Sequence, residues 1–175
     1  MSNKTIRVGL IGAGGNTRSR HIPGLKEQKG VELAAVANRT TASGRRIADQ
    51  FGVAKVCGHW REILEDASID ATLIVAGWQY LQQPEPIAAE LWRITRPRGQ
   101  VIVAFSNRMF FTKAPQVWTD GDDGDHLRYV AEVLMAQGWP QPEDVAEDTR
   151  AEGVMGLFGG KGDPFFAVVA EKPLQ

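Results

Sequence analysis

Residues Ile6 to His21 read "IRVGLIGAGGNTRSRH", and the fold turns on them. A short run rich in branched residues, "IRVGLIG" (6–12), has the composition of a buried strand and is closed by glycine. It leads directly into Gly12-x-Gly14-x-x-Thr17 and then into a helical pattern. Glycines keep such a turn tight and let backbone N–H groups approach a pyrophosphate, which a helix N-terminus also attracts. Thr17 stands where a third glycine is usual, so the fingerprint is imperfect; its place between strand and helix gives it weight. The competing reading is a tight strand-to-helix turn that holds no ligand.

The rhythm continues outward from this turn. "SRHIPGLKEQKG" (19–30) predicts a helix stopped by Gly30, and "VELAAVAN" (31–38) a second strand. "TTASGRRIADQFG" (40–52) puts Ile47, Ala48 and Phe51 on one helical face and ends in Gly52. A short strand around "AKVCG", a helix "HWREILEDA" and a strand "ATLIVAG" (71–77) follow, then a helix "PEPIAAELWRITR" and a strand "QVIVAFSN" (100–107). Residues 108–121 read as a loop with a short helix. "DHLRYVAEVLMAQG" (125–138) reads as an amphipathic helix with Asp125 as N-cap and Gly138 past its end. "DVAEDTRAE" and "PFFAVVAEK" close the chain as two strands joined by "GVMGLFGGKGD". Alternating strands and helices predict an α/β, Rossmann-like, doubly wound sheet with an antiparallel edge, as one domain over 1–175.

Composition bounds the function. In 175 residues with a hydrophobic share of 43%, a charged share of 23% and net charge -1, nothing calls for nucleic acid or an acidic membrane surface as partner. The single Cys57 forms no internal disulfide, no apolar run reaches the roughly 20 residues of a membrane helix, and the N-terminus has no signal-peptide pattern. The expectation is a cytoplasmic protein; composition leaves the oligomeric state open.

At the end of the second strand, folds of this kind that bind NAD place an acid on the ribose 2′-hydroxyl. Here the chain has Asn38 and Arg39, followed by Thr40, Ser43, Arg45 and Arg46. A guanidinium suits a 2′-phosphate, which tilts the expected cofactor from NAD toward NADP. A solvated surface charge is the equal alternative for Arg39.

With those residues in view, "RVGLIGAGGNTRSRHIPG", "ANR" at strand two and "ASIDA" before strand four resemble the nucleotide-binding half of the Gfo/Idh/MocA oxidoreductases, over residues 5 to 75. The resemblance implies that Gly12, Gly14, Gly15, Asn16, Thr17, Asn38 and Arg39 line a nicotinamide dinucleotide. It then changes. The family continues with a strand ending in Glu-Lys-Pro and a large substrate domain, whereas "QYLQQPEP", "ITRPRGQVIVAFSN" and "GGKGDPFFAVVAEK" resemble the C-terminal half of a class I S-adenosylmethionine-dependent methyltransferase, over residues 78 to 173. That fold implies the strand order 3-2-1-4-5-7-6 with an antiparallel strand seven.

On this reading "DATLIVAGWQYLQQPEP" (70–86) is a seam with Gly77 and Trp78 near the join, and the chain is a chimera of a 1–77 and a 78–175 half, read as engineered, with a natural gene of mixed ancestry as the alternative. The methyltransferase-like half lacks the glycine loop and strand-two acid that hold S-adenosylmethionine in its family. The oxidoreductase-like half lacks its catalytic lysine, so no catalytic residue is assigned. Glu171-Lys172-Pro173 does spell the motif, but at the end of the last strand. Trp78 follows strand four, next to the crevice where such folds bind cofactor, and joins the candidate site. Cys57, with no base or cation beside it, is assigned no role, and the tryptophans are read as packing residues.

The expected function is a scaffold that binds NADP or NAD without turnover. An S-adenosylmethionine-binding protein, a scaffold with no ligand and an oxidoreductase needing a partner domain are the alternatives. No metal is expected: "DGDDGDH" (120–126) lacks the alternating ligand pattern of a calcium loop, and His21, His59 and His126 share no ligand spacing. "GLFGGKGD" fails as a P-loop because Met155 and Gly162 stand where glycine and a hydroxyl residue are needed.

Overall fold

The computed structural model describes residues 5–15, 17–147 and 164–174. The strands are β1 (Ile6–Ile11), β2 (Val31–Ala37), β3 (Lys55–Cys57), β4 (Ala71–Val75), β5 (Gln100–Phe105), β6 (Glu143–Glu147) and β7 (Phe165–Glu171). Their order is β3-β2-β1-β4-β5-β7-β6, and β7 is antiparallel to both β5 and β6. This is the Rossmann-like α/β fold and strand order expected from the sequence. The helices are α1 (Ile22–Glu27), α2 (Thr41–Phe51), α3 (Arg61–Leu64), α4 (Pro84–Ile94), α5 (Gln116–Thr119) and α6 (Asp123–Ala136). The connection "GVMGLFGGKGD" expected between the last two strands lies outside the described residues. Among the described residues no helix is long and apolar enough to cross a membrane.

The chain divides into two compact units: one runs to Thr72 and takes in Ile94–Arg96, and the other holds Leu73–Arg93 and the chain from Pro97. In the first unit β1 pairs in parallel with β2, from Ile6 against Val31 to Ile11 against Ala37, and β2 pairs with β3. Leu33 to Ala37 are all buried, the mark of a parallel strand covered on both faces. Val8, Leu10, Ile22, Leu33, Val36 and Ile47 form its main apolar cluster. Each such side chain contributes about 1.5–3 kcal/mol through burial. Gly9 is required by packing, because a Cβ there would lie 2.4 Å from Ile63 Cγ2.

Helix α2 starts where its sequence provides a capping box: Thr40 Oγ1 accepts from Ser43 N–H at 3.2 Å, and Ser43 Oγ accepts from Thr40 N–H at 3.4 Å. It stops at Gly52, whose φ of 71° is a left-handed cap. Asp70 ties the unit's edges together, accepting from Arg7 N–H at 3.0 Å and pairing with Arg96.

The second unit is built on aromatic contacts. Trp118 stacks on His126 with ring centroids 4.3 Å apart, and Phe105 meets Trp118 edge-on at 5.1 Å. Trp92 and Trp139 pack edge-to-face, and Trp139 Nε1 donates to Ala88 O at 3.3 Å. Lys172 is buried; its ammonium donates to Trp92 O at 2.6 Å and lies 4.7 Å from that ring's centroid. The lysine of "EKP" is thus a packing residue of β7's end. Trp78, Trp118 and Trp139 are buried, but Trp60 is 42% exposed, so the packing reading fails there. Helix α6 begins three residues earlier than expected: Asp122, not Asp125, is its N-cap, and Asp125 is the reciprocal partner in a capping box. Asp125 has the residue type of a cap, but Asp122 holds the extended backbone that a cap needs.

Asp66 closes the turn before β4. Ser68 donates to Oδ1 through Oγ at 2.6 Å and N–H at 3.0 Å, and Lys55 Nζ donates to Oδ2 at 2.9 Å. These bonds, that of the Ser68 hydroxyl first, hold the carboxyl well below the usual carboxylate range. A depressed folded-state pKa contributes stability above the unfolded value of about 3.9, and that stability is lost as pH falls toward the folded value. Asp66→Asn is therefore expected to lower stability at pH 7 by about 1–2 kcal/mol. In urea melts at stepped pH, the gap to wild type should narrow below about pH 4.

Candidate functional site: the glycine loop and the cleft beside it

Beyond Ile11 the backbone turns at Gly12, whose φ of 80° lies in the left-handed region. Gly12 N–H donates to Ala37 O at 3.0 Å, which joins the carboxyl ends of β1 and β2. Gly14 N–H folds back onto Gly12 O at 3.0 Å, and Thr17 Oγ1 donates to the same carbonyl at 3.4 Å. Thr17 therefore braces the turn, a role that a third glycine has no side chain to fill. Thr17–His21 then form a π-helical turn that runs into α1.

A cleft of about 310 Å³ opens beside this loop. Ala13, Gly14, Gly15 and Arg18 form its loop wall, and Asn38 comes from the end of β2. Ser43, Arg46, Ile47 and Gln50 of α2 complete it. Arg18 and Arg46 are the charged residues of this lining, so the cleft is cationic. Gln50 Oε1 accepts from Arg18 Nη2 at 3.2 Å and holds that guanidinium across the opening. A Cβ built on Gly14 or Gly15 would meet nothing within 4 Å. Glycine there meets no need of the protein's own packing; it leaves backbone accessible at the cleft wall.

The sequence-derived candidates divide accordingly. Gly14, Gly15 and Asn38 line the cleft, and Gly12 and Thr17 shape its loop. Arg39 is exposed and does not line the cleft; its N–H donates to Asn38 Oδ1 at 3.0 Å. Asn16 lies outside the described residues. Trp78 belongs to the second unit, where its side chain is 1% exposed and its indole Nε1 is buried without a hydrogen-bond partner. Arg18 and Gln50 were not foreseen. Their signal was faint: Arg18 follows the fingerprint directly, and Gln50 lies one helical turn beyond Arg46 on α2. Burial pushes the Cys57 thiol up in pKa, so it rests as a protonated core group.

A family model described as an oxidoreductase family with an NAD-binding Rossmann fold matches residues 6–91. The match extends past Gly77 and Trp78 into α4. An uncharacterized oxidoreductase of Rhizobium meliloti, ORF334, is 33% identical over 69 residues, which are 39% of this chain and 21% of that protein. The S-adenosylmethionine-dependent methyltransferase SibL, in its apo form, aligns with a TM-score of 0.60 at 16% identity, over 97% of this chain and 51% of that one. This likeness is one of fold. The 3-ketoreductase KijD10 of Actinomadura kijaniata, in complex with NADP, aligns with a TM-score of 0.45 at 26% identity, over 57% of this chain and 30% of that one. The chain thus spans about a fifth of the curated relative it matches.

The two roles of glycine in this loop are separable by substitution. Gly12→Ala forces a side chain into positive φ and should cost about 1–2 kcal/mol in urea denaturation. Gly14→Ala, with open space before it, should stay within about 0.5 kcal/mol of wild type in the same assay.

Proposed function

We propose that the first unit is a dinucleotide-binding module that prefers NADP to NAD and holds it at the glycine loop without catalysing hydride transfer. The observation that carries this reading is the cleft itself. Its open glycine wall suits a pyrophosphate, and Arg18 and Arg46, with no carboxylate in the lining, suit an additional phosphate. An NAD-specific site would instead present an acid at the end of β2, where this chain has Asn38. The similarity of residues 6–91 to an NAD-binding oxidoreductase family supports the same ligand class. The cleft volume suits the adenosine and phosphate end of a dinucleotide rather than the whole molecule. Gly12, Gly14, Gly15, Asn16, Thr17 and Asn38 form the grip in this proposal, and Arg39 keeps a lesser place at its margin.

The chain is further proposed to join two lineages by engineering, oxidoreductase-like before Gly77 and methyltransferase-like after Trp78. The residue patterns at 97–107 and 160–172 support this, whereas the family-model match carries the oxidoreductase likeness past the proposed join to Leu91. One genome carrying both halves as a single reading frame would assign the joining to nature instead.

Titration calorimetry with NADP, NAD and S-adenosylmethionine tests the ligand. NADP is expected to bind at least about ten-fold more tightly than NAD, a difference of about 1.4 kcal/mol. Arg46→Ala is expected to remove that preference, and Gly14→Val to weaken both dinucleotides. Equal affinity for NADP and NAD in the wild type, or binding of S-adenosylmethionine alone, would overturn the reading.

A further inference from the structure

The loop after β5 carries a surface feature that dinucleotide binding does not use. Phe110 and Phe111, adjacent in sequence, are 67% and 68% exposed. Arg108 and Lys113 flank them, and no acid occurs from Asn107 to Thr119. In a chain of net charge -1, this is a local concentration of apolar surface and positive charge. Lys113 Nζ lies 5.2 Å from the Phe110 ring centroid, so the cation sits beside the apolar tip.

The exposure is built into the structure rather than left by slack. Three side chains of the segment after β4 hold the loop's backbone: Gln79 Nε2 donates to Arg108 O at 3.1 Å, Tyr80 Oη accepts from Phe110 N–H at 3.1 Å, and Gln82 Nε2 donates to Lys113 O at 3.4 Å. Lys113 N–H closes the turn onto Phe110 O at 2.8 Å. Gln79 is itself buried, which fixes the first of these anchors. The Tyr80 ring supports Phe110 from one side, with centroids 6.2 Å apart, and leaves both benzyl groups presented outward.

We infer that Phe110 and Phe111, flanked by Arg108 and Lys113, form a docking tip for the surface of an anionic lipid bilayer. Two benzyl groups, each about two-thirds exposed, offer roughly 200–340 Å² of apolar surface, short of the ~800 Å² that each partner of a stable dimer buries. Shallow insertion into a headgroup layer needs no complementary protein surface and rewards this pairing of apolar tip and cationic flank. Each cation near such a surface strengthens binding about five-fold at moderate salt.

Sedimentation with vesicles of phosphatidylcholine and phosphatidylserine at about 3:1, against vesicles of phosphatidylcholine alone, tests the inference. The wild-type protein is expected to partition onto the anionic vesicles several-fold more strongly and to come off as salt is raised. The exposed-site variant F110S/F111S should bind them at least about ten-fold more weakly, with an unchanged melting curve. R108Q/K113Q should lose the preference for phosphatidylserine, which tests the tip independently should the phenylalanine variant fold poorly. Failure of the wild type to partition, or undiminished binding by folded F110S/F111S, would overturn it. So would concentration-dependent self-association that the phenylalanine change abolishes while vesicles take up nothing, since the tip would then serve a second copy of the chain.

Discussion

The hydrogen bond from the Gly12 amide to the Ala37 carbonyl organises the first unit. It can form only because Gly12 turns through positive φ, a conformation that a side chain would strain. The bond fixes the end of β1 against the end of β2 and so sets the distance between loop and α2. Gly12 O in turn receives both Gly14 N–H and Thr17 Oγ1, which fold the next residues into a compact bracket. The cleft exists because this bracket stands clear of α2, whose own start is fixed by the Thr40–Ser43 capping box. Loop geometry, helix position and cleft therefore follow from one glycine at positive φ and one local cap.

Electrostatics then gives the cleft its character. Surface guanidinium groups contribute little to stability, so the two arginines along this opening set its charge more than they hold the fold. Arg18 is held by Gln50, which reduces the freedom it would lose on meeting a phosphate. Arg46 lies on α2, within the same lining. Arg39, the residue that sequence alone favours, is separated from this wall, and its backbone is instead occupied with Asn38. The cationic contribution thus moves from the strand end to the loop helix and α2, while the chemistry that it favours stays the same.

Periodicity made most of the fold legible. The alternation of apolar runs with amphipathic segments, and glycines at 12, 30 and 52, are short-range signals, and each corresponds to a positive-φ turn. Helix starts were harder where acids crowd together: from Asp120 to Asp125 several residues can cap, and only the backbone conformation selects Asp122. The π-helical start at Thr17 had no sequence signature, since it depends on how the loop bracket feeds the helix. The site was half legible for a related reason. The glycine loop is a local motif, whereas the approach of Arg18 to Gln50 spans 32 positions and depends on the packing of the unit. Lys172 likewise shows its partner, Trp92, only once β7 and α4 are in place.

The most direct test of the central claim is a map of amide chemical-shift changes as NADP is added to uniformly ¹⁵N-labelled protein. The account predicts that the changes concentrate at Gly12 to Gly15, Arg18, Asn38 to Ser43, Arg46 and Gln50. Changes centred on the second unit, or none at saturating NADP, would contradict it.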